Sequence, residues 1–516
     1  MHRPQAVQIS FIMKHTFPAG QIFPPRHSLS KFRFALGLSK RCLLLLALLL
    51  ATPCLAHSGK ARYHVIVDTD GAPDDLRAIC LLLGNREVEV LALTASEGAQ
   101  SPKRTAACLC ALLRHFHHEG IPVGCGRPTG AEAPAWRARA GQVEWGHVEQ
   151  ADCPEACDLL AATIEGEEET VTLVALGSLT NIDALCSARP DLKERIARIV
   201  WYNDCIRPLE GANYRADPAA ACRVLASGIP TAMVSSIRPV PISAAWIDSV
   251  ATVATPYARR IVTTHRCLPL SQSIAESHLG AWDDLAALYL FHPELFDRKQ
   301  LTYNVSACTF RDPECFCSSM LPLLRGKPDA ESRVFYGFPT DAVCYARDVE
   351  PIIDQAIALY GPSEWRACVL TNELHGHLGI YATVGVKMGI RAREYFNIGV
   401  DDIEVTTYAG HTPPVSCMND GLQVGTGASV GHGLIRVAAV DAPQPEALFR
   451  FKDKTIRLRL KPEYAERIRR DVRRGVELHG DRTEAYWLYV RELALHYWLD
   501  FDRHEIFELE PVTGTA

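Results

Sequence analysis

The chain has 516 residues, 48% of them hydrophobic, with 54 Lys and Arg against 60 Asp and Glu, a formal charge of −6. That length exceeds one ordinary domain, and the composition is globular rather than collagen-like, coiled-coil or low-complexity. The acidic balance argues against nucleic-acid or anionic-membrane partners, whose affinity depends on positive charge.

Residues 1–56 stand apart, with seven Lys or Arg and no acid. Lys40-Arg41 precede the apolar stretch Leu43 to Ala51, and Thr52-Pro53-Cys54-Leu55-Ala56 follow. A basic flank, a short apolar core and a small-x-small end form a secretory signal, cut after Ala56, so a periplasmic or secreted product is expected. The apolar run is too short for a comfortable span, and no later one is long enough, so no stable membrane span is expected once the signal is removed. Loss of its seven basic residues leaves 47 against 60 acids, a formal −13. Sixteen of the 18 cysteines follow residue 56. Export permits disulfides. Cys80, Cys108, Cys110 and Cys222 sit in apolar helical runs and read as buried thiols. Cys153 with Cys157, or Cys308 with Cys315 and Cys317, read as the disulfide candidates.

The strand-like run from Tyr63 ends in Asp68-Thr69-Asp70, and Gly71-Ala72-Pro73-Asp74-Asp75 lead into the apolar helical run Leu76 to Leu83. Four carboxylates within eight residues repel one another. A helix N-terminus offsets part of that through free N–H groups and its dipole. A hard cation offsets more, because Ca²⁺ takes six to eight oxygens in flexible geometry. Two readings stand: Asp68 or Asp70 caps the helix beside a solvated loop, or Asp70 and Asp75 bind a metal and leave Asp74 as a base.

A βα rhythm follows. Strands are expected at Val88 to Thr94, Ile121 to Gly126, Val171 to Ala175, Ile199 to Trp201 and Pro230 to Ser235. Helices are expected at Lys103 to Phe116, at Ile182 to Cys186, after the Asp217-Pro218 cap, and at 282–290; residues 130–155 are loop-like. Cys308 to Ala330 reads as irregular, and strand-like pieces close the first domain near 345. This is an α/β domain with a mainly parallel sheet over 57–345. A smaller α+β domain is expected over 346–516. It has helices at Val349 to Tyr360, up to Glu394, at 462–476 and at 483–500, strands at Ile403 to Tyr408 and Lys454 to Leu460, and a turn at Cys417 to Gly421.

Four separated segments of the first domain resemble the inosine-uridine preferring nucleoside hydrolase family. They are Asp68-Thr69-Asp70 with Asp74-Asp75; Val174-Ala175-Leu176-Gly177-Ser178-Leu179-Thr180-Asn181; Asn213-Tyr214-Arg215-Ala216-Asp217-Pro218; and Trp282-Asp283-Asp284. The resemblance implies a Ca²⁺ held by Asp70, Asp75, Asp283 and the Leu176 carbonyl. It implies Asp74 as the base and Asn213 on the ribose, and a small-molecule riboside hydrolysed at its N-glycosidic bond by an activated water. The Thr69 side chain is not implicated. The relatives' habit implies a homo-oligomer, a dimer or tetramer.

The sugar and base pockets depart from the family pattern. Gly71-Ala72 replace Pro-Gly, and Glu97 stands for an asparagine. Gly211 and Ala212 precede Asn213 where an acid and an aromatic are usual, and Tyr202-Asn203 replace a Gly-Gly. Trp282 stands where some members carry a histidine that protonates the leaving base; it could stack on a base or pack in the core. Glu97, Asn213 and Trp282 are therefore the substrate-binding candidates. The alternative reading is a non-catalytic or weakly active ligand- or metal-binding protein on the same fold.

In the second domain, Leu374-His375-Gly376-His377-Leu378, Gly385-Val386-Lys387-Met388-Gly389 and Cys417-Met418-Asn419-Asp420-Gly421 resemble the FmdE-like domain, named for the E subunit of formylmethanofuran dehydrogenase. His375 and His377 flank a glycine, and mixed His and Cys suit Zn²⁺ or a similar transition metal. The implied ligands are His375, His377 and Cys417. The family's usual Cys-Pro after His-Gly-His-Leu is Gly379-Ile380 here, so one expected thiol is missing.

Overall fold

The computed structural model describes residues 61–130, 132–147, 149, 152–326, 334–335 and 337–512. The signal expected over 1–56 lies outside the described residues. Residues 57–516 form one compact unit, and it contains two sheets.

The first sheet has eight strands in the order β3-β2-β1-β4-β5-β6-β8-β7. They are β1 (Tyr63–Thr69), β2 (Val88–Ala95), β3 (Val123–Cys125), β4 (Val171–Ala175), β5 (Ile196–Tyr202), β6 (Thr231–Ser236), β7 (Phe296–Gln300) and β8 (Val305–Phe310). All neighbours pair in parallel except β7 with β8. The principal helices around it are α1 (Pro73–Gly84), α2 (Pro102–His115), α3 (Ala156–Gly166), α4 (Thr180–Ala188), α5 (Pro218–Leu225) and α6 (Asp284–Phe291).

Val65, Val67, Val174 and Val200 are fully buried. The centres of β1, β4 and β5 are apolar because helices cover both faces of a parallel sheet. The strand order reverses between β1 and β4. The connections after β1 and β4 therefore leave the sheet in opposite directions at that point, and a crevice opens beyond the carboxyl ends of the two strands. Helix α1 starts there with Pro73 in its first turn, where a missing N–H costs nothing.

The second sheet has the order β10-β9-β11-β12-β13. Its strands are β9 (Glu404–Thr407), β10 (Ile435–Val437), β11 (Glu446–Phe451), β12 (Lys454–Leu460) and β13 (Phe507–Pro511). Around it pack α7 (Ile353–His375), α8 (Ile380–Phe396), α9 (Met418–Thr426), α10 (Pro462–His479) and α11 (Glu484–Asp500). Charge inside this part is paired. Fully buried Lys387 lies 2.5 Å from Glu364 and 3.7 Å from the centre of the Tyr360 ring, and Arg503 bridges Glu364 and Glu394. The two sheets' surroundings meet directly: Gly120 N donates to Tyr395 O (2.9 Å) and Asn397 Nδ2 to Leu83 O (3.2 Å).

Four local expectations change. Cys308 to Ala330 is not irregular throughout: it carries the end of β8 and a helix, Phe316–Arg325, that tolerates Pro322 inside it. The helix expected at Val349 to Tyr360 ends where expected, at a kink on Gly361 with φ of 85°, and a second helical stretch that was not expected runs from there to His375. Cys417 to Gly421 is the first turn of α9, with Cys417 at its N-cap position. Of the thiols read as buried, Cys110 is half-buried and Cys222 exposed.

Candidate metal centre and cavity

The end of β1, the start of α1 and the start of α6 bring their acids together. One carboxylate oxygen each from Asp74, Asp75 and Asp283 lies within 4.8 Å of the others. All three residues are buried, as is Asp70. Asp70 is outside that trio, but its charge helps to raise the pKa values of Asp75 and Asp283; burial is the larger cause for both. Burial, and then the Asp74 charge, push Asp70 itself up to about 7 against the pull of backbone N–H groups.

Asp70 Oδ1, Asp75 Oδ1 and Asp283 Oδ1 are buried without any hydrogen-bond partner. Burying an uncompensated carboxylate costs several kcal/mol, and native proteins leave few such atoms. Three of them in an all-oxygen cluster fit a hard cation. The close approach of the backbone supports the same reading. A Cβ on Gly98 would stand 2.0 Å from Asp70 Oδ2, and one on Gly177 would stand 2.9 Å from Asp70 Cβ. Only glycine admits the Asp70 side chain at these two places.

The cluster is held from behind by residues that sequence reasoning passed over. The Thr69 hydroxyl, which was not implicated, donates to Asp75 Oδ2. Gly71 N (3.0 Å) and Ala72 N (3.2 Å) donate to the same oxygen, so Asp75 closes the N-terminus of α1 with one oxygen and keeps the other free. Asp68 Oδ1 accepts from Thr94 (2.6 Å) and Asn181 (2.7 Å), and burial pushes Asp68 up to about 6. Arg77 donates to both Asp284 oxygens (2.8 and 2.7 Å) and to Gly280 O (2.7 Å), fixing the start of α6 against α1. Its third neighbour, His265 Nε2 (2.9 Å), accepts, because His265 Nδ1 is spent on Ile261 O and burial pushes the imidazole down to about 3. A buried polar residue at the end of an apolar strand was the available signal for Thr69. The pairing of Arg77 with Asp284, 207 residues apart, had none.

The predicted pocket residues fare differently. Asp74 Oδ2 accepts from the backbone N of Asp283 at 3.1 Å, which fixes its rotamer. Leu176 follows the last residue of β4, and its carbonyl accepts from Asn213 Nδ2 (3.0 Å). The other Asn213 N–H goes to Tyr202 O (3.1 Å), so only its side-chain oxygen is left for a sugar. Glu97 is not free: it pairs with Arg137 at 2.5 Å, and Arg137 also donates to Gly98 O at 2.6 Å. Asp70, Glu97, Arg137 and Arg215 line a cavity of about 530 Å³, with residues 132–137 as one wall. Trp282 does not line it; the ring is half-buried, packs against the core and lies over Gly280.

In the C-terminal part, His375, His377 and Cys417 do not converge as a metal-binding triad among the described residues. Instead, His375 Nδ1 meets Asp420 Oδ2 at 2.7 Å. The His375 and His377 rings are 4.4 Å apart, and His377 leans edge-on to Trp487. His375 is the last residue of α7, Gly376 caps it and turns the chain with φ of 78°, and His377 is left exposed beyond it. His375 Nε2 is buried and unpartnered, so one donor of the expected set is in place and the set is not.

Comparison with known proteins finds matches to both parts of the chain. The family described as "FmdE, Molybdenum formylmethanofuran dehydrogenase operon" matches residues 374–508. Pyrimidine-specific ribonucleoside hydrolase RihA from Klebsiella pneumoniae subsp. pneumoniae is 34% identical over 182 residues, covering 33% of this chain and 58% of that protein. RihA from Escherichia coli is 33% identical over 186 residues with the same coverage. The chain thus spans 58% of the length of these curated relatives. Among solved structures, a plant nucleoside hydrolase, the PpNRh1 enzyme, aligns with a TM-score of 0.44 at 20% identity, over 52% of this chain and 100% of that one. A purine-preferring ribonucleoside hydrolase from Gardnerella vaginalis aligns with a TM-score of 0.44 at 18% identity, over 51% and 98%. The description "Inosine-uridine preferring nucleoside hydrolase" matches residues 65–326, from the first residues of β1 past α6, and it is to this family that the chain belongs.

Proposed function

We propose that the chain is a Ca²⁺-dependent hydrolase that cleaves the N-glycosidic bond of a ribonucleoside or related riboside. The supporting observation is the set of three buried, unpartnered carboxylate oxygens on Asp70, Asp75 and Asp283, beside a cavity large enough for a riboside. Asp70, Asp75, Asp283 and the Leu176 carbonyl would hold the ion. Bound there, Ca²⁺ supplies positive charge that orients a water and the sugar diol and makes that water more acidic. Asp74, with one oxygen fixed by the Asp283 N–H, takes the water's proton through the other. The crowded carboxylates favour the cationic character that develops on the ribose ring. Asn213 offers its remaining oxygen to a sugar hydroxyl. The Glu97–Arg137 pair closes the outer wall and excludes water. No covalent sugar intermediate is needed, because one base and one water suffice.

The pyrimidine specificity in the RihA name makes uridine and cytidine the first substrates to try. Export to the periplasm or medium, a division near residue 345, and a homo-oligomer belong to the same proposal. The observation that Glu97 is tied up and Trp282 lies off the cavity favours a second reading, a weakly active ligand-binding protein. The deciding experiment incubates the purified chain with nucleosides and other ribosides, with and without chelator. Release of free base that stops on chelation and resumes with Ca²⁺ supports the first reading. Tight riboside binding without turnover supports the second.

A further inference from the structure

The loop from Gly126 to Glu155, between β3 and α3, supplies the cavity wall at residues 132–137. Its second half is laid against α2. Val143 and Trp145 are buried. Arg114 pairs with Glu149 at 2.5 Å, and a Cβ on Gly146 would stand 2.8 Å from the Ala111 carbonyl oxygen. The loop exit is tied to β3, where Cys125 N donates to Pro154 O at 2.8 Å. Beside that exit, Cys153 Sγ lies 3.8 Å from Cys110 Sγ on α2. Both thiols are half-buried, so small oxidants reach them while the surroundings hold them in place.

We propose that Cys110 and Cys153 are joined by a disulfide that locks the cavity wall onto α2. The sulfurs need to close from 3.8 Å to about 2 Å, a movement within the reach of side-chain rotation. This replaces the Cys153–Cys157 pairing read from spacing: Cys157 is on α3, whereas the sulfur packed against Cys153 comes from α2. The oxidant is a dithiol carrier in its disulfide form, or oxidised glutathione. The Cys110 thiolate attacks one carrier sulfur, and a mixed disulfide forms as the other carrier sulfur leaves as a thiolate. The Cys153 thiolate then attacks the Cys110 sulfur, and the second carrier sulfur leaves. The protein loses two protons and two electrons, and the carrier disulfide becomes two thiols. The Cys153 S–H and the Arg114 guanidinium pull the Cys110 thiol below its ordinary value against desolvation, which suits Cys110 to the first attack. The bond closes a loop between residues 43 apart. It holds whatever reaction the cavity serves.

The test uses the full chain. It is exposed to oxidised glutathione, denatured, alkylated without reductant, digested and mapped. A peptide pair linking Cys110 to Cys153 is expected. Alkylation of both residues, a glutathione adduct that goes no further, or a link from Cys153 to Cys125 or Cys157 each overturns the proposal. Trypsin cleavage at Arg137 and Arg139 gives a second readout that needs no variant. Cleavage should be about tenfold slower in oxidised than in dithiothreitol-treated protein, because it requires local opening. Cys153→Ser should be cleaved fast in both states. Equal rates for oxidised and reduced wild type would overturn the locking role.

Discussion

The two parts of the molecule bury charge in opposite ways. Around the second sheet, Lys387, Arg503, Glu364 and Glu394 neutralise one another inside the protein and leave nothing for an ion to do. At the end of β1 and the starts of α1 and α6, four carboxylates share a buried space, and buried Arg77 nearby faces Asp284 instead. A fold does not keep that second arrangement for stability. It costs free energy in the ion-free protein and gains it back only when a cation is bound. The same contrast separates the two expected metal sites. The acidic one is assembled and held from behind by Thr69, Asp68 and Arg77. The histidine site has His375 turned to Asp420 and, among the described residues, no converging third donor.

The largest effect that would break this comparison is catalytic. Asp74→Asn keeps the shape and the acceptor for the Asp283 N–H, so the protein should fold and still bind Ca²⁺. Turnover should fall by about 10³-fold, the scale of losing a general base. Ca²⁺ titration by calorimetry beside the rate measurement separates the roles. If Asp74→Asn abolishes Ca²⁺ binding, Asp74 is a ligand, as its place in the converging trio would allow, and the base lies elsewhere.

Asp283→Asn should move stability and binding in opposite directions. It removes one charge from the crowded set, so the ion-free protein should melt higher than wild type, while the rise in Tm on adding Ca²⁺ should vanish. An ion-free variant that melts lower would show that Asp283 is already compensated. Gly98→Ala probes the same site without touching a carboxylate. Its methyl would meet Asp70 Oδ2 at 2.0 Å, displace that side chain and weaken Ca²⁺ roughly tenfold or more, the range for residues that position ligands.

Much of this site was legible because it is local. Asp68, Asp70, Asp74 and Asp75 fall at one strand end and one helix start, and the apolar runs that flank them fix where the sheet and the helix begin. Asp283 could be placed only through the family pattern, since nothing in its own neighbourhood says it returns to β1. Arg77 and Arg137 were missed for the same physical reason: each acts through a partner distant in sequence, which leaves no periodic trace. The turn expected at Cys417 failed because its polar, glycine-containing composition masked a helix start that packs tightly on α8, where Gly385 and Gly421 allow backbone contact. Glu97 was read as a sugar contact because Arg137, its partner, lies in a loop with no pattern of its own.

A smaller effect follows from pH. Burial pushes Asp68 up to about 6 and Asp70 up to about 7, and raises Asp75 and Asp283 well above their usual range. Unfolded carboxyls lose their protons near pH 4. Between there and the folded values the native state holds more protons than the unfolded one, so stability falls as pH rises. The cluster's own contribution to the metal-free protein should therefore be largest near pH 4 and fall by about pH 7; buried His265, pushed down to about 3, acts in the opposite direction over the same range, so the cluster is read as the Tm difference between wild type and Asp283→Asn. Saturating Ca²⁺ should flatten that slope, because bound cation does what the protons did. A metal-free Tm difference between Asp283→Asn and wild type that does not widen from pH 4 to 7 would contradict the burial of the cluster.

The smallest expected effect is at the C-terminal histidines, and it measures how far the second region falls short of the first. With His375 Nδ1 on Asp420 and only Nε2 buried and open, a Zn²⁺ ion would find one placed nitrogen, a neighbouring His377 ring free to turn, and a Cys417 thiol that burial and the Asp420 charge push up, away from the thiolate form a metal needs. Dialysed protein should retain less than one Zn²⁺ per chain, and His377→Ala should lower the content further without changing Tm. One Zn²⁺ per chain, lost in both His375→Ala and Cys417→Ser, would instead show that the ion itself gathers the triad, and that the second site assembles only around its metal.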